Sequence, residues 1–181
     1  MLETQALIFD FGGTLDANGI HWRDRFFRLI KGEFPDLSWD VFEEADRNSI
    51  EQFISNKPVH LSLQASAYEI MSGIVKNLGF KQAIINPLVS VFCRDTSVSL
   101  EQNREWLATL GDQYQLGVIS NNFGNTQGWC DECGLSPLLD VVVDSTVVVI
   151  SNPDPRIFQI ALSELEISPE KAIYVGDTFL D

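Results

Sequence analysis

Apolar residues first gather in a short unbroken run, Ala6-Leu7-Ile8-Phe9, bounded by Asp10 and the Gly12-Gly13 pair. A run of that length reads as a buried strand, and the glycines after it as a tight turn. Beyond Asp16 the spacing becomes helical. His21 to Lys31 places Trp22, Phe26, Leu29 and Ile30 on one helix. Ser38 is a plausible N-cap for a second, carrying Trp39, Phe42, Ile50, Phe53 and Ile54, and Ser62 for a third that runs through Ala65 and Ile70 to Leu78 and is stopped by Gly79. Further helices are expected over Lys81 to Phe92 and Ser99 to Leu110. Strand and helix then alternate. Leu116 to Ile119, Leu138 to Val143 and Ala172 to Val175 read as strands, and the β-prone Val147 to Ile150 as a short extra one. Thr126 to Cys133 and Asp154 to Leu165 read as helices.

This order predicts an α/β fold with a doubly wound parallel sheet. The helical run sits between two strand-bearing segments. It is therefore expected to be a subdomain over residues 17–95, inserted into an α/β core made of residues 1–16 and 96–181.

Composition narrows the function. With 12 Lys and Arg against 26 Asp and Glu the formal charge is −14. That argues against nucleic acid as a partner, because phosphate backbones need clustered basic residues. It favours a carboxylate-lined cation site, since a phosphorylated small molecule would otherwise be repelled. No stretch is long and apolar enough for a bilayer and no signal peptide is evident, so neither a membrane partner nor export is expected, and the expected compartment is the cytoplasm. Three Cys (Cys93, Cys130, Cys133) are too few for a disulfide framework, and the lone Cys-x-x-Cys reads as two structural thiols. His21 and His60 are isolated, with His21 close enough to the first turn to line a cleft beside it.

The candidate chemistry lies at strand ends, where open α/β sheets bind their ligands. Asp10-Phe11-Gly12-Gly13-Thr14-Leu15 follows the first strand and Ser120-Asn121 the second. Pro153-Asp154-Pro155-Arg156 opens a helix, and Gly176-Asp177 with Asp181 follows the last strand. In this order the segments resemble the haloacid dehalogenase-like (HAD) hydrolase superfamily, with its Rossmannoid core and helical cap. The resemblance implies that Asp10 is a nucleophile forming an aspartyl-phosphate intermediate. It implies Mg²⁺ held by Asp10, the carbonyl of Gly12 and Asp177, with Asp181 nearby, and a substrate phosphate cradled by the Ser120 hydroxyl and the Asn121 N–H. The implied substrate is a small phosphorylated metabolite.

The chain also departs from that family. The position two residues after the nucleophile, usually a second Asp acting as general acid and base, is Gly12. Positioned proton transfer is typically worth about 10² to 10⁴ in rate, and Asp16 is the nearest candidate to replace it. The Lys expected before Pro-Asp-Pro is Asn152, a neutral substrate-facing candidate, with Arg156 able to compensate only if it turns back toward Asp10. Family cores also continue past the position of Asp181, so the strand over Ala172 to Val175 is expected at a sheet edge, open to homodimer pairing. These departures leave two alternatives beside the phosphatase: a dehalogenase-like hydrolase, whose halide leaves without a proton, and a catalytically impaired binding protein.

Overall fold

A computed structural model describes residues 3–178; Asp181 lies outside the described residues. Its four strands are β1 (Ala6–Phe9), β2 (Gln115–Ser120), β3 (Val141–Asp144) and β4 (Ala172–Val175), all parallel in the order β3-β2-β1-β4. Side chains alternate between the two faces, as strand geometry requires. Phe9, Leu116 and Val118 join one core with the long helices, whereas Ala6, Ile8, Ile119 and Val143 join a second core with Ile157 and Ala161. Helices thus cover both faces, and the doubly wound architecture expected from the sequence is present. β4 forms an edge of this sheet and exposes Ile173 at 48% and Val175 at 38%.

The helical segment comprises α1 (Trp22–Glu33), α2 (Trp39–Ser55), α3 (Leu63–Asn77) and α4 (Ile85–Leu110). α1 starts where His21 Nδ1 accepts from the Arg23 N–H, and α3 where Ser62 Oγ accepts from the Ala65 N–H at 3.1 Å. Shorter helices follow: α5 (Thr126–Glu132), α6 (Ser145–Val148) and α7 (Pro155–Glu164).

Two expectations are corrected. In place of separate helices over Lys81–Phe92 and Ser99–Leu110, a 3-10 turn at Gln82–Ile84 leads into one continuous α4, so residue 95 falls inside a helix. The apolar periodicity lapses there because the inward face is polar: buried Thr96 accepts from Arg25 Nη2 at 2.5 Å. Pro87 is tolerated because it lies in the first turn, where no intrahelical N–H is required. The strand expected over Val147–Ile150 is absent: Val147 and Val148 end α6, whose first turn is capped by Asp144 accepting from the Thr146 N–H at 2.9 Å. Val149 leaves α6 in the left-handed region, φ 58°, and is 86% exposed, so its β preference has no sheet surface to pack against.

The link between β1 and α1 is fixed by a buried ion pair. Asp16 accepts from the Gly13 N–H at 2.6 Å, from the Trp22 indole N–H, and from Arg25 Nη1 at 3.3 Å. Arg25 also donates to the Phe92 carbonyl at 3.1 Å, and its guanidinium lies 3.9 Å from the Phe92 ring centre. Burial pushes the Asp16 carboxyl above the ordinary carboxylate range, while Arg25 and the N–H donors pull it back. Removing Arg25 would leave that carboxylate buried without its cation. Arg25→Ala should therefore cost about 3 kcal/mol near neutral pH, a fall of about 6–12 °C in Tm. The folded pKa of Asp16 lies above its unfolded value, so its contribution to stability already declines as pH rises between the two. Loss of Arg25 raises the folded value further. The measured penalty should therefore be smaller in acid, where Asp16 folds neutral, and larger at neutral pH.

Candidate active site

The parallel register brings the carboxyl ends of β1, β2 and β4 to one edge. Phe9 pairs with Val118 on one side and Val175 on the other, and the Asp10 N–H donates to the Val175 carbonyl at 2.9 Å. Asp10, Ser120 and the Gly176-Asp177 segment therefore emerge side by side. Asp10 and Ser120 are buried, at 9% and 4% exposure.

The turn after Asp10 assigns different work to its two glycines. Gly13 takes φ 90°, and a Cβ there would lie 2.2 Å from Asp177 Oδ2, so the Asp177 carboxylate rests directly on Gly13. Gly12 has an ordinary φ of −76°, and a Cβ on it would meet nothing within 4 Å. One glycine admits a carboxylate and the other leaves open space.

The loop after β2 is organised by Asp144, a residue not singled out in the sequence. Its buried carboxylate accepts from the N–H groups of Gly124 at 3.0 Å, Thr126 at 3.1 Å and Thr146 at 2.9 Å, and from the Thr126 hydroxyl. An Asp ending a strand before Ser-Thr has the form of a helix N-cap, and that signal was available. Asn121 is held from the other side: its Nδ2 donates to the Asn152 carbonyl at 2.9 Å, and its Oδ1 accepts from the Asn152 N–H at 2.8 Å. Asn152 is buried in this clasp.

A cleft of about 260 Å³ opens between this edge and the helical layer. Gly12, Ser120, Asn121 and Asn122 line it from the sheet side. Trp22, Phe26, Ile50, Ile70, Phe123 and Trp129 supply apolar walls, and His21, Arg23 and Asp46 add charge and hydrogen-bonding capacity from α1 and α2. Trp22 and Trp129 stack on one another in its wall, with ring centroids 5.3 Å apart and 6° from parallel. The helical layer is fastened to α5 by the Leu61 carbonyl, which accepts from Trp129 Nε1 at 3.0 Å and Asn125 Nδ2 at 3.3 Å. Asp10 and Asp177 at the strand ends, and Asn152 in the segment between α6 and α7, are not part of this cleft wall.

Other candidates fall elsewhere. Asp16 is committed to Gly13, Trp22 and Arg25 and is wholly buried, so it does not replace the side chain missing at Gly12. Arg156 faces solvent and pairs with Asp154, Nη2 to Oδ2 at 2.6 Å, so it does not turn back toward Asp10. That pairing holds the Asp154 carboxyl down at about 2. His60 is exposed between α2 and α3 and lines no part of the cleft. Cys130 and Cys133 are free thiols pushed up to about 12 chiefly by burial, which leaves them unreactive.

Among the described residues no group of three or more His, Cys, Asp or Glu is gathered to hold a metal ion. A smaller set of oxygen donors at the strand ends is of the kind that could hold Mg²⁺. Asp10, Asp177 and the Gly12 carbonyl are hard oxygen donors on adjacent segments, and Mg²⁺ is commonly bound by one or two carboxylates while keeping several waters. The glycine contrast gives a direct test of that placement. Gly13→Ala should destabilise the protein by about 2 kcal/mol or more through strain and displacement of Asp177, whereas Gly12→Ala should stay within about 0.5 kcal/mol, both read by thermal or urea unfolding.

Comparison with known proteins bears on the family and the fold. Two curated proteins match over part of the chain. Acyl-CoA dehydrogenase family member 10 of Mus musculus is 40% identical over 67 residues, 35% of this chain and 6% of that protein. Haloacid dehalogenase-like hydrolase domain-containing protein 3 of Homo sapiens is 39% identical over 66 residues, 36% of this chain and 26% of that protein. The matched stretches thus span well under half of either relative. Among solved structures, a dehalogenase with an intermediate complex aligns over 100% of this chain and 80% of its own, with TM-score 0.60 and 19% identity. The HAD-hydrolase YfnB from Bacillus subtilis, bound to magnesium, aligns over 98% and 80%, with TM-score 0.53 and 17% identity. At these identities the structures establish a shared fold. The haloacid dehalogenase-like hydrolase family model matches residues 4–181, and the chain belongs to that family of hydrolases.

Proposed function

We propose that this protein is a Mg²⁺-dependent phosphatase acting on a small phosphorylated metabolite, with α1 to α3 as the cap over its site. The observation that carries this reading is the convergence of Asp10, Ser120 and Asp177 at one sheet edge beside a cleft of about 260 Å³. That volume sits just below the usual range of ligand pockets, about 300–1,000 Å³, and suits a short substrate.

In the proposed reaction an Asp10 carboxylate oxygen attacks phosphorus. The new O–P bond forms as the ester P–O bond breaks, and the departing oxygen takes its proton from water. Water then attacks the aspartyl-phosphate, which releases phosphate and restores the carboxylate. The Ser120 hydroxyl and the Asn121 N–H orient the phosphoryl oxygens, and the Asn121–Asn152 clasp and Asp144 hold that loop in place. Mg²⁺, when bound by Asp10, Asp177 and the Gly12 carbonyl, supplies positive charge against these carboxylates and the phosphoryl group.

Gly12 supplies no acid and Asp16 is committed elsewhere, so the reaction depends on the leaving group. Aryl and acyl phosphates should turn over well ahead of alkyl esters. Gly12→Asp has room for its side chain and should raise alkyl-ester turnover more than aryl, by about tenfold or more. Equal gains on both ester types would show that another group already donates the proton. Asp10→Asn should abolish turnover in the same screen. Mg²⁺ should raise the Tm of the parent by mass action, and Asp177→Ala should remove that rise.

A second reading has its own support. The missing acid, the neutral Asn152 and the outward Arg156 also suit a relative that binds its ligand without turning it over. Ligand-induced thermal shifts combined with no turnover that depends on Asp10 would favour it.

A further inference from the structure

The sheet side of the cleft carries no cation: Gly12, Ser120, Asn121 and Asn122 line it with backbone, hydroxyl and amide groups. Among the described residues lining the cleft, Arg23 on α1 is the sole Lys or Arg. Its guanidinium is held in an unusual way. Nε donates to Asp46 Oδ2 at 2.7 Å, and Nη1 lies 3.6 Å from Glu43 Oε1, beyond hydrogen-bond length. Neither Nη group makes a hydrogen bond to the described residues. Asp46 is the buried partner, with 3% of its side chain exposed against 41% for Arg23.

A half-exposed pair of this kind adds little stability, and burying a carboxylate costs solvation. Asp46 also occupies a position on the apolar stripe of α2 formed with Phe42, Ala45 and Phe53, where an uncharged residue would pack at lower cost. What the arrangement achieves is orientation. Asp46 takes Nε and Glu43 stands 3.6 Å from Nη1, so the guanidinium of this cleft-lining residue is held at one side and keeps Nη donors without a hydrogen bond among the described residues. The paired Nη edge of a guanidinium matches the spacing of two oxygens on a carboxylate or phosphate.

We propose that Arg23 is the anion-recognising residue of this cleft, taking two oxyanion oxygens of the ligand through its Nη groups, with Asp46 as its positioning residue. This rests on the cleft being the substrate site described above, and it deepens that reading by naming the ligand class: a small molecule with an oxyanion set against an apolar, aromatic body. The oxyanion is either the phosphoryl group itself or a carboxylate elsewhere on the ligand, and both present the same paired oxygens.

Calorimetric titration of the intact protein with orthovanadate, malonate and phosphonoacetate tests the proposal without requiring turnover. The parent should bind at least one of the three. Arg23→Gln should weaken that binding at least tenfold, and Arg23→Lys should recover part of it, both with an unchanged circular dichroism spectrum. Asp46→Asn should weaken binding less than Arg23→Gln, because the guanidinium remains but loses its anchor. A loss confined to orthovanadate places Arg23 on the phosphoryl group, and a loss confined to malonate places it on a substrate carboxylate; either supports the assignment. Equal affinity in parent and Arg23→Gln, or a parent that binds none of the three, overturns it. The phosphatase reading is judged separately by the Asp10→Asn turnover assay, so the two can fail independently.

Discussion

The carboxylate of Asp16 is where the Gly12-Gly13 turn, the helical layer and the longest helix hold one another. One side chain receives the Gly13 N–H, the Trp22 indole and the Arg25 guanidinium. Arg25 carries the connection on to the Phe92 carbonyl and Thr96 of α4. Gly13 is in turn the surface on which Asp177 rests. The placement of a carboxylate after β4 thus depends on a turn after β1, and that turn depends on a charge buried between helices. Such networks have much to lose when half satisfied, because each remaining member is stranded in a low-dielectric setting.

The same economy of charge shapes the cleft. Asp144, Asp16 and Asp46 are all buried carboxylates; the first two each accept from several donors, and Asp46 accepts from Arg23 Nε. Asp144 orders a loop with backbone N–H groups, Asp16 joins two layers, and Asp46 aims a guanidinium. The remaining acids are mostly at the surface, where the excess negative charge repels anions in general. A site for an anion in such a protein must supply its own local field, through backbone N–H groups, a cation from the helices or a bound metal.

Much of this was legible in the sequence, for identifiable reasons. β1 and β4 are apolar runs cut off by Asp or Gly, and each strand falls on the residues expected. Ser62 caps α3 through the bond that its position implies. The strand-end chemistry could be placed because a parallel sheet gathers its carboxyl ends at one edge. What could not be read depended on contacts between distant segments. The middle of α4 looks like a break because its inner face meets Arg25 rather than apolar neighbours. Val147 to Ile150 has strand-forming residues, but Asp144 captures the Thr146 N–H and starts a helix first. The Arg23–Asp46 pair joins two helices, and its one local trace is an acid placed on the apolar stripe of α2.

The continuity of α4 has a mechanical consequence. At 26 residues it is about 39 Å long, packing against α3 and bringing Trp106 edge-on to Phe9 of the central strand near its end. A helix of this kind is a stiff beam, and bending it sharply requires interrupting its own hydrogen bonds. One rigid element therefore runs from the helical layer to the central strand. Any displacement of the helical layer relative to the sheet must carry this helix with it or break its internal hydrogen bonds.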